Sequence, residues 1–276
     1  MLHDDSRWPR AGDWPAPVGR ADAVIVGVPT YLRSLSPTQA HLTPAAVREA
    51  LRRYSFESSL VIADAGDALD PDTVDARDFV AALDATLVIA LGGDNSATVP
   101  VALGRRARGL VTVDAHHDLR DGISNGSPVR QLIEAGIDGS RVVQIGIEPF
   151  ANSRAYSSRA ADLGITVITR EELRHRPIED VMVEALEIAS AGGGTVHVDL
   201  DVDVCDRAVA PACPASVPGG ISAIELRAAA RVAGAHASVA SIDLAEVDAA
   251  ADAPDARTVR LAALCVLEAL AGLESR

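Results

Sequence analysis

Eight short apolar runs, rich in β-branched residues, recur along the chain with longer Ala-, Leu-, Arg- and Glu-rich segments between them. This alternation constrains the fold more than any other feature. The runs are AVIVGV (23–28), LVIADA (60–65), ATLVIAL (85–91), GLVTVDA (109–115), RVVQIGI (141–147), ITVIT (165–169), GTVHVDLD (194–201) and HASVASIDL (236–244). They are continuously apolar rather than alternating, as expected of strands covered on both faces. Helical patterns fall at 45–54, 73–83, 96–103, 128–135, 178–189, 222–233 and 255–271, the first announced by Thr43 as N-cap and Pro44 as first helical residue. Strands alternating with helices predict an α/β fold with a mainly parallel sheet. No linker, repeat or low-complexity block interrupts the 276 residues, so a single domain over 1–276 is the simplest reading. Residues 1–20 form a lead segment, whose Trp8 and Trp14 are expected to pack across the body or a neighbouring subunit.

Aromatic residues make up only 3% of the chain, so Ala, Val, Leu and Ile must fill the core. Lys+Arg 25 against Asp+Glu 39 gives 25 − 39 = −14, which argues against nucleic acid or an anionic membrane as partner. Three cysteines are too few and odd in number for a disulfide framework. No run reaches the length of a transmembrane helix, and the polar N-terminus has no signal-peptide core. A cytoplasmic protein with a small-molecule substrate is therefore expected.

In parallel α/β sheets ligands bind at the carboxyl ends of strands. Four predicted strands end in acid-bearing segments: GGDNSAT (92–98), VDAHHDLRDG (113–122), the segment from His197 to Gly220 that contains DLDVD, and SIDLAEVD (241–248). Asp114, His116 and Asp118 are spaced i, i+2, i+4, so on an extended strand end they point the same way. Asp199 and Asp201 repeat the spacing. A lone D-x-D is usually a solvated strand end, and a lone strand histidine is usually a core residue. Two dense clusters are different, because four aspartates in one crevice would repel strongly unless cations neutralised them. Oxygen-rich ligands with one imidazole suit Mn²⁺ better than a thiolate-seeking structural zinc.

These segments resemble the ureohydrolase family of arginases, agmatinases, guanidino-acid hydrolases and formimidoylglutamases, from residue 23 to the final helix. The family's D-A-H-x-D motif matches Asp114, Ala115, His116, His117 and Asp118. Its D-x-D motif matches Asp199, Leu200 and Asp201 before AVAPACPASVPGG, and its late E-V element matches Glu246 and Val247. The resemblance implies a three-layer α/β/α fold with an eight-stranded sheet, two Mn²⁺ ions and hydrolysis of a linear C–N bond. It makes Asp114 and Asp199 bridging ligands, with Asp118 completing one metal site and His116 and Asp201 the other. Asp118 would also orient the nucleophile, and Glu246 would hold the substrate nitrogens. A homo-oligomer, trimer or hexamer, is implied as well.

Two departures narrow the choice. Where the family's G-G-x-H-S motif has a ligand histidine, this chain has Asn95, whose neutral carbonyl oxygen is a weaker ligand. Where arginase and agmatinase carry a proton-shuttling histidine, this chain has Asn125. The stretch DAHHDLRDGISNGSPVRQLI resembles formimidoylglutamase most. Its Arg120 and Arg130 suit a substrate with two carboxylates, since Arg grips carboxylate with a bidentate fork. Asn125, Arg120, Arg130 and Glu246 are thus the expected substrate contacts, with the loop at 30–36. An agmatinase-like guanidino hydrolase and a non-catalytic relative with weakened metal binding are the alternatives. His117 is expected to point away from the metals, His197 is a candidate to support a ligand, and Cys205, Cys213 and Cys265 read as loop or core thiols.

Overall fold

A helix that crosses one face between two strands returns the chain to the end where it started, so strand–helix alternation enforces parallel pairing. The computed structural model describes residue 5 and residues 7–276. Its strands are β1 (Ala21–Val28), β2 (Ile62–Asp67), β3 (Ala85–Gly92), β4 (Gly109–Val113), β5 (Val142–Ile147), β6 (Thr166–Thr169), β7 (Val196–Asp201) and β8 (Val239–Ala245). They form one sheet in the order β2-β1-β3-β8-β7-β4-β5-β6, and each pairing is parallel. The helices are α1 (Thr43–Leu51), α2 (Val74–Ala81), α3 (Thr98–Gly104), α4 (Pro128–Glu134), α5 (Arg154–Asp162), α6 (Ile178–Ser190), α7 (Ala223–Ala235) and α8 (Arg257–Leu273).

The two faces of the sheet carry separate cores, which makes three layers. Ile25, Leu87, Ile89, Val111 and Val198 pack under α1, α6, α7 and α8. On the opposite face, Val24, Val26 and Val88 meet α2 and α3, while Leu110 and Val142 meet α4 and α5. Burial on both faces explains the unbroken apolar runs. The expected core of small aliphatic residues is the one observed.

Three local expectations change. Helix α5 was not predicted, because RAYSSRAAD buries only Ala160 and so carries no apolar stripe; its start is marked instead by Ser153, whose side chain accepts from the Tyr156 amide. Thr43 is the first residue inside α1 rather than its cap. Its hydroxyl is taken by the loop after β8, donating to the Val247 carbonyl and accepting from the Ala249 amide. Strand β2 lies two residues later than expected; it is an edge strand, and Arg48 of α1 pairs with Asp64 and Asp67 near its polar end. In the lead segment, Arg10 bridges to Ser55 and Trp14 packs against the core; residues 1–4 and 6 lie outside the described residues.

Candidate metal centre

The strands that end in the four acid-bearing segments, β3, β8, β7 and β4, are consecutive neighbours in the middle of the sheet. Their carboxyl ends therefore lie side by side, which is where an open parallel sheet leaves a crevice. The chain leaves β4 at Val113, and the next residue, Asp114, accepts from the His116 amide at 2.7 Å. Strand β7 ends at Asp201 and tightens into a single 3₁₀ turn over Val202–Val204, with the Asp201 side chain accepting from the Asp203 amide. That turn swings Asp203 towards His116, whose Nδ1 lies 3.0 Å from Asp203 Oδ2 and 3.4 Å from Asp114 Oδ1.

Two sets of ligand atoms result, each gathered within 4.8 Å: Asp114, His116 and Asp203, and Asp114, Asp118 and Asp201. Asp114 belongs to both, as a bridging ligand must. Asp114 Oδ2 and Asp203 Oδ1 are buried and take no hydrogen bond in the described structure. Unpartnered carboxylate oxygens at this depth are costly unless a cation meets them, so the donor set fits divalent metal.

The electrostatics agree. Burial, reinforced by Asp203, pushes the Asp114 carboxyl up to about 6. Burial and neighbouring acids also push Asp118 and Asp201 well above the ordinary carboxylate range. Burial works against the charged form of His116, but Asp203 and Asp114 outweigh it and push the imidazole up to about 12. Burial opposes ionisation of Asp203 too, yet His116 holds this carboxyl below its usual value. Without metal, a protonated His116 partly balances the acids; as a metal ligand it would give up that proton.

Two residues hold strained backbone here. Asp118 (φ 52°) and Glu246 (φ 62°) adopt the left-handed region, which costs a non-glycine residue about 1–3 kcal/mol. Glu246 is pinned at both levels. Its amide donates to the Gly93 carbonyl, and its Oε1 accepts from the Asn95 amide at 2.8 Å and from Asn125 Nδ2 at 2.6 Å. Gly93 is itself required, because a Cβ there would stand 2.0 Å from the Thr30 carbonyl oxygen.

The two clusters differ from the expected ligand set. Asp199 belongs to neither cluster. It sits inside β7, opposite Asp243 of β8, fully buried, with both oxygens unpartnered. Burial, and then the charge of Asp243, raise its carboxyl well above the ordinary range. Asp203 joins His116 where Asp201 was expected, and Asp201 joins Asp118 where Asp199 was expected; DLDVD carries three acids at period two. Asn95 lies beside the second cluster, but its Nδ2 donates to Asp118 Oδ2 at 2.6 Å and its Oδ1 meets Thr98 Oγ1 at 2.7 Å.

A cavity of about 320 Å³ opens over the clusters, lined by His116, Asp118, Asp201, Asp203 and Glu246 at one end. Arg120, Asn125, Asn152, Ser153 and Tyr156 also line it, together with Leu35 and Ser36 of the loop after β1. Arg130 is not among the lining residues. Its guanidinium is consumed by the carbonyls of Arg120 and Gly122 and by Glu134, so it clamps the loop that carries Arg120. His117 turns away, with Nδ1 on Gln144 and Nε2 on Ser157. His197 reaches Asp243 and Ser241 below the clusters. The three cysteines are buried and free.

The arginase family model matches residues 21–272. Formimidoylglutamase of Halalkalibacterium halodurans is 33% identical over 279 residues, covering 90% of this chain and 86% of that protein. The crystal structure of formimidoylglutamase from Bacillus subtilis superposes with a TM-score of 0.89 at 28% identity, covering 99% of this chain and 94% of that one. A Trypanosoma cruzi formiminoglutamase solved with Mn²⁺ shares the fold, with a TM-score of 0.83 at 24% identity over 93% of this chain and 94% of that one. Sequence and backbone agree over nearly the full length, and the chain belongs to the arginase family.

Proposed function

We propose that this protein is a manganese-dependent formimidoylglutamase, hydrolysing N-formimino-L-glutamate to L-glutamate and formamide. One observation carries the choice of substrate. The cavity has acids at its metal end, and among the described residues Arg120 is the one arginine or lysine that lines it. No carboxylate pairs with Arg120 among the described residues. An amidine bearing a distant carboxylate matches that polarity, whereas the ammonium end of agmatine would meet a like charge. The relatives named above act on the same substrate by name.

Asp114, His116 and Asp203 would hold one Mn²⁺, and Asp114, Asp118 and Asp201, with Asn95 beside them, the other. Bound there, manganese supplies the positive charge that makes water nucleophilic at neutral pH. The protein's own groups then set the geometry. Asp118, fixed by Asn95, accepts the hydrogen bond of the attacking water. Glu246 has Oε1 immobilised by two donors, which leaves Oε2 to receive the amidine N–H groups and aim the formimino carbon. The water oxygen bonds to that carbon, the bond from carbon to the α-nitrogen breaks, and the nitrogen leaves as the amine of glutamate with a proton from water. Asn125 acts here as a holder of Glu246 rather than as a proton carrier. We extend the same reading to a cytoplasmic homo-oligomer of the trimeric or hexameric kind.

The test is hydrolysis by Mn²⁺-loaded protein of N-formimino-L-glutamate, agmatine, arginine and guanidinobutyrate in parallel. Formamide and glutamate release, with little urea from the others, is the expected result. Preferential urea release from a guanidino compound would overturn the substrate.

A further inference from the structure

Arg120 has a long, flexible stem and lies on an exposed loop, yet to select a substrate its guanidinium must stay over the cavity. Something has to hold it there. The Arg120 amide donates to the Gly126 carbonyl at 3.0 Å, so the two residues face each other across the loop. A Cβ built on Gly126 would stand 2.7 Å from Arg120 Cδ, 3.1 Å from Arg120 Nε and 3.2 Å from Leu35 Cδ1. The arginine stem therefore lies across the bare α-carbon of Gly126, in the space a methyl group would fill. Leu35 closes the other side, its backbone amide tied to Asn125 Oδ1 at 2.9 Å.

We infer that Gly126 is the seat of Arg120 and therefore a specificity-determining position, acting through Arg120 on a substrate's far carboxylate. Gly126 does not need its glycine for backbone reasons, since its φ lies outside the left-handed region. An alanine can adopt this backbone; what it cannot do is share the space with the Arg120 stem. The nearest conflict is with the Arg120 stem at 2.7 Å, and Arg120 is exposed, so the conflict resolves by swinging the guanidinium out into solvent. The three atoms nearest the added methyl group belong to Arg120 and Leu35, not to the ligand clusters or Glu246. This inference rests on the reading of Arg120 given under Proposed function.

The test compares kcat and KM of wild type, Gly126→Ala, Arg120→Ala and the double variant. The substrates are N-formimino-L-glutamate and N-formimino-L-glutamine, whose side-chain amide replaces the far carboxylate. Wild type is expected to prefer the glutamate compound. Gly126→Ala is expected to raise its KM about 10-fold, the loss of one charge-assisted contact, with kcat within about twofold and Mn²⁺ content unchanged. In the Arg120→Ala background the alanine at 126 is expected to change nothing further, since its effect runs through the missing side chain. Binding of L-glutamate by calorimetry gives a second reading on the folded, Mn²⁺-loaded protein, and the same about 10-fold weakening is expected. If Arg120→Ala narrows the preference while Gly126→Ala leaves both KM and glutamate binding unchanged, the seat is wrong and the role of Arg120 stands. Additive effects in the double variant also overturn the seat. An unchanged preference in Arg120→Ala overturns the role of Arg120, and the seat with it.

Discussion

Removing bound metal and raising the pH should weaken this fold, and Mn²⁺ should reverse the trend. In the metal-free protein, burial and then Asp203 raise the Asp114 carboxyl from 3.8 to about 6. The folded chain then keeps a proton that the unfolded chain has lost, so this contribution is full below about pH 4 and disappears as pH rises through about 6. For His116, Asp203 and Asp114 overcome the effect of burial and lift it from 6.5 to about 12. Its contribution is full below about pH 6.5 and falls as pH rises towards 12. Asp203 is shifted downward, so its contribution is present above about pH 4 and does not change between pH 5 and pH 8. Across that window both contributions fall, on the order of 3 kcal/mol together. Asp118 and Asp201 shift in the same direction as Asp114. For a chain of this size that is a fall in Tm of about 6 °C. On the proposed two-ion reading, loading both sites at a hundredfold over Kd returns about 5 kcal/mol, or ~10 °C. The gain is greater at pH 8, because the ligands must lose their protons to bind. Scanning calorimetry of chelator-treated and Mn²⁺-loaded protein at pH 5 and pH 8 measures both effects. A metal-free Tm that holds or rises from pH 5 to pH 8, or a larger Mn²⁺ shift at pH 5, would refute the reasoning.

Three substitutions probe the rest of the site. Asp203→Ala should cost at least about 10-fold in Mn²⁺ affinity and Asp199→Asn much less; equal losses by calorimetry would return Asp199 to the ligand set. Asn125→Ala frees Glu246 Oε1 and unties Leu35, so steady-state kinetics should show kcat reduced about 10-fold or more with a smaller change in KM. Gly93→Ala would place a methyl group 2.0 Å from the Thr30 carbonyl, and denaturant unfolding should show a loss on the order of 4 kcal/mol or an unfolded chain.

Much of this was legible in the residues alone. Continuous apolar runs report burial on both faces, and this burial depends on strand composition rather than on distant partners. The DAHHD segment was equally readable, because three ligands at i, i+2 and i+4 need only an extended backbone to converge. Helix α5 escaped because a helix that buries one alanine has no periodic stripe. Arg130 was not placed by the sequence, because a cation near the site looks the same there whether its donors face a substrate or, as in this structure, two carbonyls and Glu134.

The sequence by itself determined the layer architecture, the strand ends that carry chemistry and the oxygen-rich character of the ligands, since these depend on local composition and period. It could not choose among Asp199, Asp201 and Asp203, because a strand places all three on one face. Only the tertiary structure decided. Pairing with β4 and β8 continues far enough to keep Asp199 inside the sheet opposite Asp243. The turn over Val202–Val204 then carries Asp203 across to His116. Where a strand stops is set by its neighbours' hydrogen bonds, not by its own residues, and at this centre that stopping point selects the ligands.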